Sequence, residues 1–157
     1  IRYDAILRQV NLGSYGIADL VTFRYSNFNR IDITIYELKE ATLNHNALDQ
    51  ACRYAIGVNN IIEEFHYLER RDIYLNIVLI GSKIDTTSDF VYLCQMNSRI
   101  DLYTYEYSFD GIDFERCNTW NMENTKYVKT NYFSIGRKIV KKMAETFLSP
   151  ENFECNF

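Results

Sequence analysis

A mixed β-sheet flanked by helices, in the α/β or α+β class, is the fold this sequence predicts. Three observations lead there. Extended segments rich in β-branched residues fill the first forty positions, a helical period takes over after Asn46, and an almost continuous apolar run follows at Ile73–Gly81.

Taken in order, Arg8–Leu12 is a short candidate strand and Gly16–Tyr25 (GIADLVTFRY) a longer one. Ile31–Lys39 (IDITIYELK) is the clearest, with Ser26, Asn27 and Asn29 supplying the turn chemistry of a hairpin before it. From Asn46 to Phe65, residues Leu48, Ala51, Cys52, Ala55, Ile62 and Phe65 fall near one helical face. Asn46 is the expected N-cap, with Asp49 in the first turn where the helix dipole favours an acid. The run IYLNIVLIG at Ile73–Gly81 reads as a strand buried on both faces. Ser88–Met96 reads as a second helix capped by Ser88, Ile100–Tyr107 as an alternating strand, and Ser134–Leu148 as a last helix stopped by Ser149-Pro150.

Composition bounds the function classes. The 157 residues carry 17 Lys and Arg against 21 Asp and Glu, a formal charge of −4, and 47 % are hydrophobic. One domain with a real core over residues 1–157 follows, and collagen-like or disordered classes are excluded. No apolar stretch reaches the length of a membrane span, so no membrane is expected as a partner. No signal peptide is legible, and the chain opens on Ile1, so it is read as a piece of a longer protein. Cys52, Cys94, Cys117 and Cys155 have neither zinc-finger nor redox spacing, and neither His45 nor His66 adjoins a cysteine. Incidental thiols in a reduced, cytoplasmic setting are the expectation.

The chemistry lies in the second and third strands. Alternation puts Ile33, Ile35, Glu37 and Lys39 on one face, with Glu37 and Lys39 about 6.6 Å apart along the strand. Ile17, Asp19 and Val21 share a face of the preceding strand, so hairpin pairing brings Asp19 alongside Glu37. Two acids facing each other in apolar strands repel, and one takes up a proton unless a cation intervenes. Mg²⁺ resolves the conflict, because it prefers one or two carboxylates together with waters and phosphate oxygens.

Gly16-Ile17-Ala18-Asp19-Leu20 followed by Ile35-Tyr36-Glu37-Leu38-Lys39 resembles the PD-(D/E)XK nuclease superfamily, in which a strand Asp is followed across a hairpin by Glu-x-Lys. Gln50-Ala51-Cys52-Arg53-Tyr54 on the next helix is similar to the Q-x-x-x-Y element of its RecB-like members. Gln50, Arg53, Tyr54 and Gly57 are expected to form a polar stripe beside the buried one. The likeness spans about residues 8–107, leaving 108–157 as a C-terminal extension.

The resemblance implies a restriction-endonuclease-like fold and a metal-dependent nuclease acting on nucleic acid, DNA in the first instance, with Mg²⁺ or Mn²⁺ as cofactor. It implies Asp19 and Glu37 as metal ligands with the Leu38 carbonyl as a third oxygen, and Lys39 as base or water-positioning residue. Gln50 would orient the centre or contact substrate, with Arg53 and Tyr54 beside it on the substrate side. A bacterial or phage-like setting, a homodimer or a larger multidomain context, and a catalytically inactive module that binds nucleic acid or protein all fit the same pattern. Two departures stand out: Ala18 replaces the motif proline, and the acid expected on a preceding helix has Asp4 as its sole nearby candidate.

The remaining candidates have plainer expectations. Arg8 and Gln9 could meet phosphate but suit a structural role, His45 an exposed loop, and His66 a helix end. Residues 126–142 carry six basic side chains and no acid, against −10 for the rest, with Tyr127, Tyr132 and Phe133 interleaved. The solvated face of an amphipathic helix, with Ile139, Val140, Met143 and Phe147 inward, is the expected reading.

Overall fold

Antiparallel pairing of the first three strands builds one half of the sheet, as the hairpin chemistry implied. In the computed structural model, which describes residues 2–26, 30–63, 72–117, 134–147 and 153–154, these strands are β1 (Ala5–Asn11), β2 (Ile17–Ser26) and β3 (Arg30–Leu38). Asn27 and Asn29 lie outside the described residues. The chain continues through β4 (Thr42–Leu43), α1 (His45–Ile62), β5 (Asp72–Gly81), β6 (Lys83–Ile84), α2 (Phe90–Met96), β7 (Ile100–Ser108), β8 (Gly111–Arg116), α3 (Ser134–Thr146) and β9 (Phe153–Glu154).

The main sheet is mixed, in the order β8-β7-β5-β3-β2-β1-β9, with β3, β5 and β7 parallel and the other neighbours antiparallel. β4 and β6 form a separate parallel pair. The architecture is mixed α/β.

All three described helices pack on the same face of the sheet. Odd-numbered residues of β2 and β3 (Val21, Phe23, Ile31, Ile33, Ile35) meet Tyr54, Val58 and Ile62 of α1 and Val140, Met143 and Ala144 of α3. Ile77 and Leu79 of β5 with Ile100 and Leu102 of β7 meet Ala47, Leu48 and Ala51 of α1 and Phe90 and Cys94 of α2. The crossovers β3–α1–β5 and β5–α2–β7 each step one strand in the same direction, so crossovers of one hand place both helices on one side. This corrects the expectation for β5. Ile77, Val78 and Leu79 are buried, but Ile73–Asn76 and Ile80 are only half-buried, because among the described residues no helix covers the second face.

Several local expectations shift. Asn44, not Asn46, caps α1: its side chain accepts from Asn46 N at 3.0 Å, and Asp49 falls beyond the first turn. Ser88 does not cap α2, whose N-cap is Asp89; the Ser88 hydroxyl donates to Asp85 instead, at 2.9 Å. The buried stripe of α1 runs through Tyr54, Gly57 and Val58, with Cys52 and Ala55 only half-buried, so Tyr54 and Gly57 do not belong to a polar face. His45 opens α1 and stacks edge-on against Phe90 at 6.0 Å rather than standing in a loop. Val140, Met143 and Phe147 point inward as anticipated, with the Phe147 ring 5.8 Å from that of Phe23. Phe65, His66, Tyr127, Tyr132, Phe133 and Cys155 lie outside the described residues. Cys52, Cys94 and Cys117 are free thiols.

Candidate active site

The register of the β2–β3 hairpin decides which side chains meet. The alternation of β2 breaks before the site: Ala18 joins Val21 in the core while Ile17 is exposed, so Ile17, Asp19 and Val21 do not share one face as expected. The ladder ends with Leu20 opposite Tyr36, and one further step in that register sets Asp19 against Glu37. That step is made by a side chain instead of the ladder: Leu38 N donates to Asp19 Oδ2 at 2.9 Å. β3 ends there, and Lys39 N turns to the Ile80 carbonyl of β5 at 2.8 Å, which fixes the first residue after the strand.

Glu37 is 1 % exposed, the most deeply buried acid among the described residues. Its Oε1 lies 2.6 Å from Lys39 Nζ, whereas Oε2 is buried with no hydrogen-bond partner. Burial pushes the Glu37 pKa upward and the negative charge of Asp19 adds to the rise, while Lys39 and, more weakly, Arg53 oppose it.

Lys39 is shared. Its Nζ also donates to Gln50 Oε1 at 2.8 Å, and Gln50 Nε2 in turn donates to the Tyr54 hydroxyl. The four-residue spacing from Gln50 to Tyr54 is one helical turn, which is why the two side chains meet. Tyr54 lies on the core at 3 % exposure, so its ring is packing and its hydroxyl is the polar tip that holds Gln50. Arg53 is exposed beside them. Gly16 makes room for that ring: a Cβ there would stand 2.9 Å from Tyr54 Cε1, and the residue has a φ of +108°.

The structure thus brings together Asp19, Glu37, Leu38, Lys39, Gln50 and Tyr54. Asp4 is not among them. It sits at the other end of β1, where Oδ2 accepts from Tyr25 N at 2.6 Å, about five strand residues or ~17 Å from Asp19.

A residue assigned to structure at the sequence level stands directly on the site. Gln9 Nε2 donates to Asp19 Oδ1 at 3.4 Å, and Gln9 is the one non-glycine among the described residues with a left-handed φ, +49°. No sequence signal marks that conformation. The β7–β8 hairpin was missed as well, although Gly111 at its turn, with φ +141°, was a legible cue. The hairpin's Tyr105, Tyr107, Ile112 and Phe114 line a cleft of about 600 Å³ together with Arg8, Gln9, Asp19 and Lys39.

Among the described residues no group of three or more His, Cys, Asp and Glu side chains forms a metal cage. Two carboxylates suffice for Mg²⁺, which retains waters and takes phosphate oxygens. The donor set fits such an ion: Asp19 and Glu37 are hard oxygen donors, and the orphaned Glu37 Oε2 is a buried acceptor in want of a cation.

No protein-family model, curated protein or solved structure matches the chain. None of the described helices is long and apolar enough to cross a membrane.

Proposed function

We propose that the chain is a metal-dependent nuclease of the PD-(D/E)XK type, with a restriction-endonuclease-like core, and that it hydrolyses phosphodiester bonds in DNA. One observation carries the reading: Glu37, buried next to Asp19, has one oxygen on Lys39 and the other unsatisfied. A purely structural acid in that position would have both oxygens bonded or would be replaced by an apolar residue at little cost.

In this reading Asp19 and Glu37 would hold Mg²⁺ or Mn²⁺, with the Leu38 carbonyl as a third oxygen. When bound, the ion supplies a water of lowered pKa and polarises the phosphorus centre. Lys39 would position a nucleophilic water and offset negative charge on the phosphoryl oxygens. Gln50, held by the Tyr54 hydroxyl, fixes the lysine so that it does not collapse wholly onto Glu37. Arg53, exposed on the same helix, is placed to meet a phosphate of the substrate backbone.

The test is a cleavage panel of linear, circular, single-stranded and branched DNA with Mn²⁺ or Mg²⁺ and with chelator. Asp19→Ala, Glu37→Ala and Lys39→Ala are each expected to abolish metal-dependent cleavage while the circular dichroism spectrum is unchanged. Full metal-dependent activity in all three variants would overturn the assignment.

A further inference from the structure

The β7–β8 hairpin bears a row of aromatic and apolar side chains that the core does not use. Tyr107 is 78 % and Phe114 58 % exposed, and Ile112 stands between them on the cleft wall. Tyr105 packs edge-on against Tyr107 with ring centroids 5.6 Å apart. Its hydroxyl donates to the Glu40 carbonyl at 3.4 Å, one residue beyond Lys39, so the hairpin is tied to the loop that carries the site. Arg8 and Lys39, together with the acids Asp19 and Glu40, line the same cleft from the β1–β3 side of the sheet.

We infer that this cleft is a binding site for unpaired nucleotides, in which Tyr107 and Phe114 stack on bases of a single strand while its backbone passes Arg8 and Lys39. The inference rests on the nuclease reading for the site whose Asp19 and Lys39 line the cleft, and it adds the substrate class: single-stranded DNA or a single-stranded overhang rather than intact duplex. The physical reason is the ring faces. Stacking on an aromatic side chain requires a base whose own face is free, and in a duplex each base is already stacked on its neighbours. An exposed aromatic patch marks an interaction surface, and Arg8 and Lys39 give the cleft two cations to meet phosphates, with Asp19 and Glu40 beside them.

The experiment measures fluorescence anisotropy of a labelled twelve-nucleotide oligothymidylate and of a blunt duplex of equal length with the full chain in chelator, where no cleavage occurs. The single strand is expected to bind at least tenfold more tightly than the duplex. Tyr107→Ala and Phe114→Ala should each weaken single-strand binding at least fivefold, and Tyr107→Phe should keep it. Thermal melting establishes that each variant folds. Equal binding of duplex and single strand, or alanine variants that bind as the parent does, would overturn the inference and favour a protein partner for the hairpin. Glu37→Gln separates the two ideas. Loss of cleavage with retained single-strand binding supports both, retained cleavage removes Glu37 from the site, and absence of metal-dependent cleavage by the parent overturns the nuclease reading while leaving the binding result to decide the cleft.

Discussion

Lys39 spans the gap between Glu37, its ion-pair partner two residues back along the chain, and Gln50, a residue of the following helix. The cluster is therefore assembled from two elements, and its geometry depends on how α1 sits on the sheet. That dependence yields predictions that separate packing from chemistry.

Tyr54→Phe removes the hydroxyl that anchors Gln50 but keeps the buried ring. It should cost about 1 kcal/mol of stability, the worth of one hydrogen bond, and lower the proposed nuclease activity about tenfold through a misplaced Lys39. Tyr54→Ala should cost about 3–5 kcal/mol by emptying the core. Denaturant melts alongside single-turnover cleavage distinguish the two effects; equal activity of the parent and the Phe variant would remove Gln50 from the positioning role.

Glu37 makes stability depend on pH in a defined direction. Because burial raises its pKa above the ordinary 4.5, the folded chain holds this proton more tightly than the unfolded chain does. The contribution is complete below about pH 4.5 and is lost as pH rises through the folded value. Glu37→Gln abolishes it, so the Tm of the variant minus that of the parent, in chelator, should grow from pH 4 toward neutrality. Parallel Tm curves would mean that Glu37 titrates normally.

Addition of Mn²⁺ or Mg²⁺ at neutral pH should raise the Tm of the parent, since an ion bound only by the folded state adds about 2.7 kcal/mol at a hundredfold excess over Kd. Asp19→Asn and Glu37→Gln should lose that increment, and Asp85→Asn, on a loop held by Thr87 and Ser88, should keep it. Isothermal calorimetry checks the same point directly.

Gly16→Ala meets two obstacles at once, a positive φ and a Cβ 2.9 Å from the Tyr54 ring. A loss of about 1–3 kcal/mol is expected by chemical denaturation. Gln9→Gly should do the opposite for stability, gaining up to about 1 kcal/mol by relieving a left-handed backbone. Activity should nonetheless fall, because Asp19 loses the amide that faces its Oδ1. A Gln9→Gly variant with unchanged kcat would make the contact incidental.

Much of the scaffold was legible along the chain. β2, β3, β5 and β7 match their patterned segments to within a residue or two, because alternation and β-branching are local and each strand had a buried face to enforce them. β4, β6 and β9, two residues apiece, and the fully exposed β8 carried no such pattern. Helix caps were misplaced by one or two residues, since Asn44 and Asn46, or Ser88 and Asp89, are equally good caps until the backbone dihedrals choose.

By itself, the sequence determined the mixed α/β class, the β2–β3 hairpin, and the helical turn that joins Gln50 to Tyr54, because each follows from a period of two or of 3.6. Only the tertiary structure decided which oxygen of Glu37 is left without a partner, that Lys39 bridges to α1, that Gln9 is bent toward Asp19, and that an aromatic hairpin shares a cleft with Asp19 and Lys39. Those relationships join residues far apart in the chain, and long-range packing has no period for a sequence to display.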